Sequence, residues 1–553
     1  MDSDVISCIL SGIIHRDVVR RLPGFRQSPA LCHHLPEASS RSDRSFKHCQ
    51  SGRFGRQIDM SLEEPTPHYK TSSSVNSDGK LADASEEKRA VRMLDYTVLP
   101  LVTMFYLLSF LDRANIGNAR VAGLQKGLHL TDHQYQVAVT VTFVPYIAAE
   151  LPSNLLLRRI GPRLLMPLLL VIWGAIVTLH GVVSSYTGLV VIRAFLGLVE
   201  GPMFPGIVLY LSDFYTREEL SLRVALFFSS ASLSGAFSGL LAAAIQNMDG
   251  IGGKPGWAWI FILEGLFTVI VGVVSFFLIP STPQGSKFLT QRQKDIIVDR
   301  LARDRPGIGI LDEFSFKEIF RSLKSPHVIM VFIMFFGNGT TLYGLALFLP
   351  SIVNQLGFSP TRTQLISVGP YAAGFFVTLI SAYLSDRYHT RAIPTMVIGT
   401  FAVAGFGIYL GSSHVAAAYG SLFLSVPGVY ATAPILSAWM ANNSEPYYRR
   451  ATSVAIGFVA TNAGGILSTW SFPTREGPRF KRATIMDLVF SLVIVFGCVV
   501  NVLWLTHANR NKVRHRAEML APYADEKEAQ YDSGSQRAWI TLGDQHPDFK
   551  YTL

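Results

Sequence analysis

The sequence predicts an all-α membrane protein with twelve transmembrane helices in two halves of six. Hydrophobic residues make up 49% of the 553-residue chain and charged residues only 16%, a balance too apolar for a string of soluble domains. Continuous apolar blocks recur from Leu94 to Thr506, each long enough to cross a hydrocarbon core of ~30 Å as a helix. One polar stretch, residues 281–326, divides them six and six. Barrel strands would instead alternate apolar and polar residues over about ten positions.

Residues 1–87 are rich in Ser, Arg, His and Pro without periodicity, and read as a disordered cytoplasmic tail. Its composition changes at Met60, from a basic segment to the acidic, serine-rich "MSLEEPTPHYKTSSSVNSDGK". Translation is therefore expected to start at Met60. The first half, residues 88–280, contains blocks at 94–112, 134–156, 164–183, 188–211, 223–245 and 258–279. Gly201, Pro202 and Pro205 do not oppose a span, because neighbouring helices and cavity water can satisfy the backbone groups they free. In the central loop, 281–326, "LTQRQKDIIVDRLARDR" puts Ile296, Ile297 and Leu301 on one side of a short amphipathic helix. The second half, residues 327–510, has blocks at 328–350, 365–385, 392–411, 415–440, 451–470 and 484–506, and a cytoplasmic tail follows at 511–553.

The net charge of +10 would suggest a nucleic-acid partner in a soluble protein. Here the basic residues lie between spans: Lys88, Arg89 and Arg92, then Arg158, Arg159 and Arg163, then a run from Lys287 to Lys324, then Arg510 to Arg516. By the positive-inside rule both termini and the central loop face the cytosol, and the partner is the lipid bilayer rather than nucleic acid. Arg475, Arg479, Lys481 and Arg482 depart from the pattern. Cys8, Cys32, Cys49 and Cys498 make neither a disulfide framework nor a metal cluster, so no cofactor or metal is expected. G-x-S-x-G, H-E-x-x-H and phosphate-loop motifs are absent, which argues against an enzyme.

Charged residues inside spans face a bundle interior or a wet cavity and are functional candidates by default. They include Asp112, Arg113, Glu150, Arg193, Glu200 and Glu264. Asp112 and Arg113, read as the end of the first span, point about 100° apart on a helix and cannot simply neutralise each other. Arg193 and Glu200 are seven residues apart, on one face roughly 10 Å from each other. Together the four offer a cross-helix set of two acids and two bases. Glu150 reads as part of a helix-end latch, and Glu264 as a structural pairing at least as readily as a transport residue. Asn338, Tyr343, Tyr371, Asn442 and Asn462 are further cavity candidates in the second half, Asn462 in "TNAGG" being the best placed.

"LSFLDRANIGNARVAGL", "ELPSNLLLRRIGPR", "RAFLGLVEGPMFPG", "GWAWIFILEG" and "SLFLSVPGVYATAPILSAWMANN" resemble the anion:cation symporter family of the major facilitator superfamily, especially its fungal allantoate, nicotinate and vitamin permease branch. The resemblance covers residues 88–510 and implies the major facilitator fold, with a substrate site near the midplane between the halves. The superfamily signature G-x-x-x-D-R-x-G-R is partial. Its first-half aspartate position is Arg158, followed by Arg159, Gly161 and Arg163, whereas the second half keeps Asp386, Arg387 and Arg391. The resemblance gives these loops a role as cytoplasmic latches. It also implies protons at Asp112 and Glu200 and a substrate carboxylate at Arg113; Arg193, as an intramembrane cation, and Asn462, as the best-placed polar cavity residue, are the further substrate-binding candidates. The expectation is a monomeric, multi-pass transporter in the plasma membrane, coupling uptake of a small organic anion to protons. Export by antiport, or sensing without transport, are the alternatives; the proline of the antiporter signature is missing from "SLSGAFSGLLA".

Overall fold

The computed structural model describes residues 77–304, 316–445, 447–473, 476–477, 479–523, 538–539 and 541–553. The Met60 start, most of the N-terminal tail, the three cysteines within it and Arg475 lie outside the described residues.

The first half contains α1 (Ser77–Val121), α2 (Asp132–Ile160), α3 (Pro162–His180), α4 (Tyr186–Glu200), α5 (Met203–Ser212), α6 (Arg217–Ile245) and α7 (Gly256–Leu278). The connection holds α8 (Gln291–Asp304) and α9 (Phe316–Lys324). The second half contains α10 (Pro326–Asn354), α11 (Pro360–Arg387), α12 (Ala392–Gly411), α13 (Val415–Tyr430), α14 (Thr432–Asn442), α15 (Tyr447–Thr469) and α16 (Lys481–Arg514). Among the described residues, ten helical segments are long and apolar enough to cross a membrane. The other two expected spans are helical as well. One lies in α2, which carries the buried Glu150; the other is broken into α4 and α5 at Gly201 and Pro202, just after Glu200.

Local chemistry sets the breaks. Thr131 and Gln134 form a reciprocal capping box that starts α2. Gly161, at φ 84°, ends it, and Pro162 opens α3 at a position where its missing N–H costs nothing. α1 runs to Val121 rather than stopping near Asp112 and Arg113. Its backbone bonding continues past the last long apolar stretch because neighbouring helices bury Asn115 and Asn118, so the charged pair lies inside the helix. α8 is the expected amphipathic helix. Its Ile297 is fully buried, and Arg300 joins it to Glu87 of α1 at 3.1 Å.

The halves meet at the end of the bundle away from the described C-terminal residues. There Gly117 of α1 faces Leu347 of α10 so closely that a Cβ would sit 2.4 Å from the Leu347 carbonyl oxygen. A Cβ on Gly239 of α6 would lie 2.8 Å from the Gln364 carbonyl of α11. Small residues allow such backbone contact. At the opposite end the halves part around a cavity of about 590 Å³, lined by Val208, Leu220 and Val224 from the first half and Ala438, Ala441 and Val454 from the second. Lys481 and Arg482 sit at the start of α16, far along the helix from Lys512, so the exception to the basic pattern stands, with Arg482 3.4 Å from Glu476.

Residues 541–553 form a strap across the second half. Asn509 bonds both backbone groups of Tyr551, at 2.9 and 3.0 Å. Asn443 does the same to Thr552, at 2.8 and 2.9 Å. The Trp439 indole donates to the Thr552 carbonyl at 2.9 Å, and the Arg391 backbone N–H donates to that of Leu553 at 2.7 Å. Asp544 pairs with Arg449, and the Lys512 ammonium lies 3.5 Å from the centre of the Tyr551 ring.

Candidate functional site

Midway along the bundle, one hydrogen-bonded chain joins the halves. Arg113 Nε donates to Glu200 Oε1 at 2.6 Å, and Ser109, one turn earlier on α1, donates to the same oxygen at 2.6 Å. Arg113 Nη1 donates to the Tyr343 hydroxyl of α10. That hydroxyl donates to Asn462 Oδ1 of α15 at 2.9 Å, and Asn462 Nδ2 is anchored on the Phe458 carbonyl at 3.0 Å. The guanidinium also lies over the Tyr146 ring, 4.8 Å from its centre, an aromatic contact that suits a planar cation.

Arg113, Arg193, Glu200, Tyr343 and Asn462 line one small cavity with Thr142, Phe143 and Tyr146. Its volume of about 20 Å³ is enough for a water molecule and too little for an organic anion. Arg193 is buried and donates from Nε to the Ala138 carbonyl at 2.9 Å. Tyr343, Asn462, Arg113 and Glu200 thus make the contacts that a ligand entering between the halves would have to exchange.

Two sequence expectations change. The four charged residues do not share one cavity: Arg113, Arg193 and Glu200 line it, whereas Asp112 does not and interacts with Trp173 of α3 and Glu264 of α7 as well as with Glu200. The helical turn between adjacent residues makes the orientations of Asp112 and Arg113 differ. Glu150 belongs with the central group rather than a helix-end latch: it is fully buried and interacts electrostatically with Arg113 and Tyr343. It follows Tyr146 by one turn on α2, which places it on the cavity side of that helix.

Of the latch residues, the side chains of Arg158 and Arg159 lie outside the described residues. Gly161 makes the α2–α3 turn, and Arg163 and Arg387 are exposed. Arg391 pairs with Asp386 and donates to the Ser385 hydroxyl at 2.9 Å, while its backbone holds the strap. Ser109 and Tyr146 escape sequence reasoning because a serine or tyrosine in an apolar helix carries no distinctive pattern. A further carboxylate, Asp487 of α16, is buried; its place inside the last apolar block is the signal that marks it.

The profile described as Major Facilitator Superfamily matches residues 102–469. The chain belongs to the major facilitator superfamily. A high-affinity nicotinic acid transporter of Saccharomyces cerevisiae is 32% identical over 472 residues, 84% of this chain and 85% of the relative. An uncharacterised transporter of Schizosaccharomyces pombe is 35% identical over 412 residues, 74% and 85% of the two chains. Among solved structures, a D-xylose-proton symporter superposes with a TM-score of 0.56 at 13% identity, covering 73% of this chain and 97% of that one. A bacterial homologue of the lysosomal transporter Spinster, inward-facing and unoccupied, gives 0.56 at 15%, covering 74% and 96%. This major facilitator protein is a multi-pass membrane transporter and not an enzyme. Its fold is the twelve-helix arrangement that the apolar blocks predict.

Proposed function

We propose that this transporter imports a small organic anion together with protons by alternating access, as a monomer in the plasma membrane with both termini in the cytosol. The observation that carries the reading is Arg113, a membrane-embedded guanidinium whose contacts are a carboxylate on one half and a hydroxyl on the other. A planar fork of N–H donors suits a substrate carboxylate, which it can hold by two hydrogen bonds without losing its own proton.

Coupling follows from competition. A substrate carboxylate arriving at Arg113 displaces Glu200, and a carboxylate deprived of its cation in a poorly hydrated site binds a proton more readily. Substrate and proton then favour each other's binding, the reciprocity that symport needs. Glu200 therefore takes the coupling role at the substrate, with Arg193 and Asn462 completing the pocket and Asp112 holding a proton beyond it. Glu150 tunes the charge around Arg113, and the Asp386, Arg387 and Arg391 loop braces the cytoplasmic end together with Gly161 and Arg163. Similarity to a nicotinic acid transporter supports a small aromatic carboxylate.

The test is accumulation of labelled carboxylates and vitamins, nicotinate included, by yeast cells making the protein, at acidic and neutral external pH with and without a protonophore. Acid-stimulated, protonophore-sensitive accumulation of one compound is expected. No accumulation, with the protein at the cell surface, would put export or sensing first.

A further inference from the structure

A second polar site lies inside the first half, away from the cavity at Arg113. Asp112 of α1 and Glu264 of α7 are 3% and 5% exposed and interact electrostatically. Among the described residues, neither oxygen of Asp112 has a hydrogen-bond partner, and neither has Glu264 Oε1. Glu264 Oε2 accepts from the side-chain amide of Asn115, whose own oxygen accepts from Ser238 at 3.2 Å. From α3, the indole N–H of Trp173 faces the Asp112 carboxyl without reaching bonded geometry; the side chain is fully buried and has no other partner.

The surrounding charges leave this pair uncompensated. Arg113 turns to Glu200, and Arg193 donates to the Ala138 carbonyl. His180, on the α3 face packed against α7, bonds the Ile176 carbonyl and stacks on Phe261. Glu200 adds a further negative charge within electrostatic range of Asp112. Nor can anything large enter. A Cβ on Gly174 would lie 2.7 Å from the Val269 backbone nitrogen, and one on Gly265 would lie 2.4 Å from that of Thr178, so α3 and α7 are in backbone contact beside the two acids. Two anionic carboxylates buried within electrostatic range of each other, without a cation, are strongly disfavoured.

We propose that Asp112 and Glu264 form one proton-binding site, in which a single proton is held between the two carboxyls and the Trp173 indole completes their hydrogen bonding. Glu264 is thereby a member of the proton machinery, and Asp112 acts through it rather than through Arg113. A dicarboxylate that shares one proton titrates as a unit, so removing either member alters the remaining one. This inference rests on the proton-coupled reading for its role in transport, but the site can be observed without transport.

The experiment is infrared spectroscopy of the purified protein near neutral pH in H₂O and D₂O, for wild type, Asp112→Asn and Glu264→Gln, with gel filtration as the control for folding. Glu264→Asp serves as a variant that keeps an acid. Wild type is expected to show the deuterium-sensitive C=O band of a protonated carboxyl, shifted or lost in both amide variants and retained in Glu264→Asp. Uphill uptake by Glu264→Gln in liposomes should require an external pH displaced by one unit or more. A band identical in wild type and both amide variants overturns the shared site. Loss of the wild-type band on adding sodium, but not potassium, overturns it in favour of a metal-cation site. A wild type that shows the substitution-sensitive band but no proton-driven uptake supports the pair and sinks the symport reading instead.

Discussion

Arg113 holds Glu200 at 2.6 Å with one nitrogen and reaches Tyr343, 230 residues further along the chain, with another. A single guanidinium therefore ties a carboxylate of the first half to a hydroxyl of the second. Arg113→Lys keeps the charge but offers no planar fork, so it cannot serve both partners in the same geometry. Loss of one charge-assisted bond, worth about 1.5–3 kcal/mol, corresponds to a fall of roughly 10- to 100-fold in substrate affinity. Binding of the identified substrate to purified protein, measured by calorimetry, checks this.

Tyr343→Phe removes only the hydroxyl that connects Arg113 to Asn462 and leaves the ring against Phe143, whose centre lies 4.9 Å away. A neutral hydrogen bond contributes about 1 kcal/mol. Uptake assays should show KM raised about fivefold, with a smaller change in maximal rate.

Two glycines offer matched tests of packing. A Cβ on Gly197 would lie 2.0 Å from the Thr142 carbonyl, a contact within the first half, whereas one on Gly117 would meet Leu347 across the halves. Gly197→Ala should lower stability by about 1–3 kcal/mol through overpacking, seen as a lower unfolding temperature. Gly117→Ala should instead separate the halves at that end, lengthening the spin-label distance between positions 126 and 359.

Burial pushes the Asp544 carboxyl up to about 6, while Arg449 and Lys512 pull the other way. An acid that holds its proton more tightly docked than free favours the docked strap in its protonated form. Strap binding should therefore strengthen as pH falls from about 6 toward the ordinary aspartate value of ~4, and level off at its weakest above 6. Hydrogen exchange at the amides of Tyr551 and Thr552, corrected for intrinsic rates, should be slower at pH 5 than at pH 7. Asp544→Asn should flatten that dependence.

The helices were legible because membrane burial writes itself into sequence as length and apolarity. Even the interruption of the fourth span is marked by Gly201 and Pro202. Which charges meet was only partly legible. Arg113 and Glu200 could be nominated as expensive intramembrane residues, but nothing local announces that Tyr343 closes the chain or that Asp112 looks toward α7. Those facts depend on the rotation of each helix against its neighbours. Glu150 shows the same limit, since proximity to a helix end on paper did not reveal which face it occupies. The strap was least legible of all: its grip depends on Asn443, Asn509 and Trp439, ordinary residues in distant helices, holding the backbone of a short segment without periodicity.

Leu553 lies on the wall of the 590 Å³ cavity between the halves. Any polypeptide continuing past it, natural or appended for purification or fluorescence, would begin inside the opening through which cargo leaves in an importer of this orientation. Handles are better placed at the other terminus, and localisation or activity recorded with a C-terminal fusion would describe a transporter whose opening between the halves is obstructed.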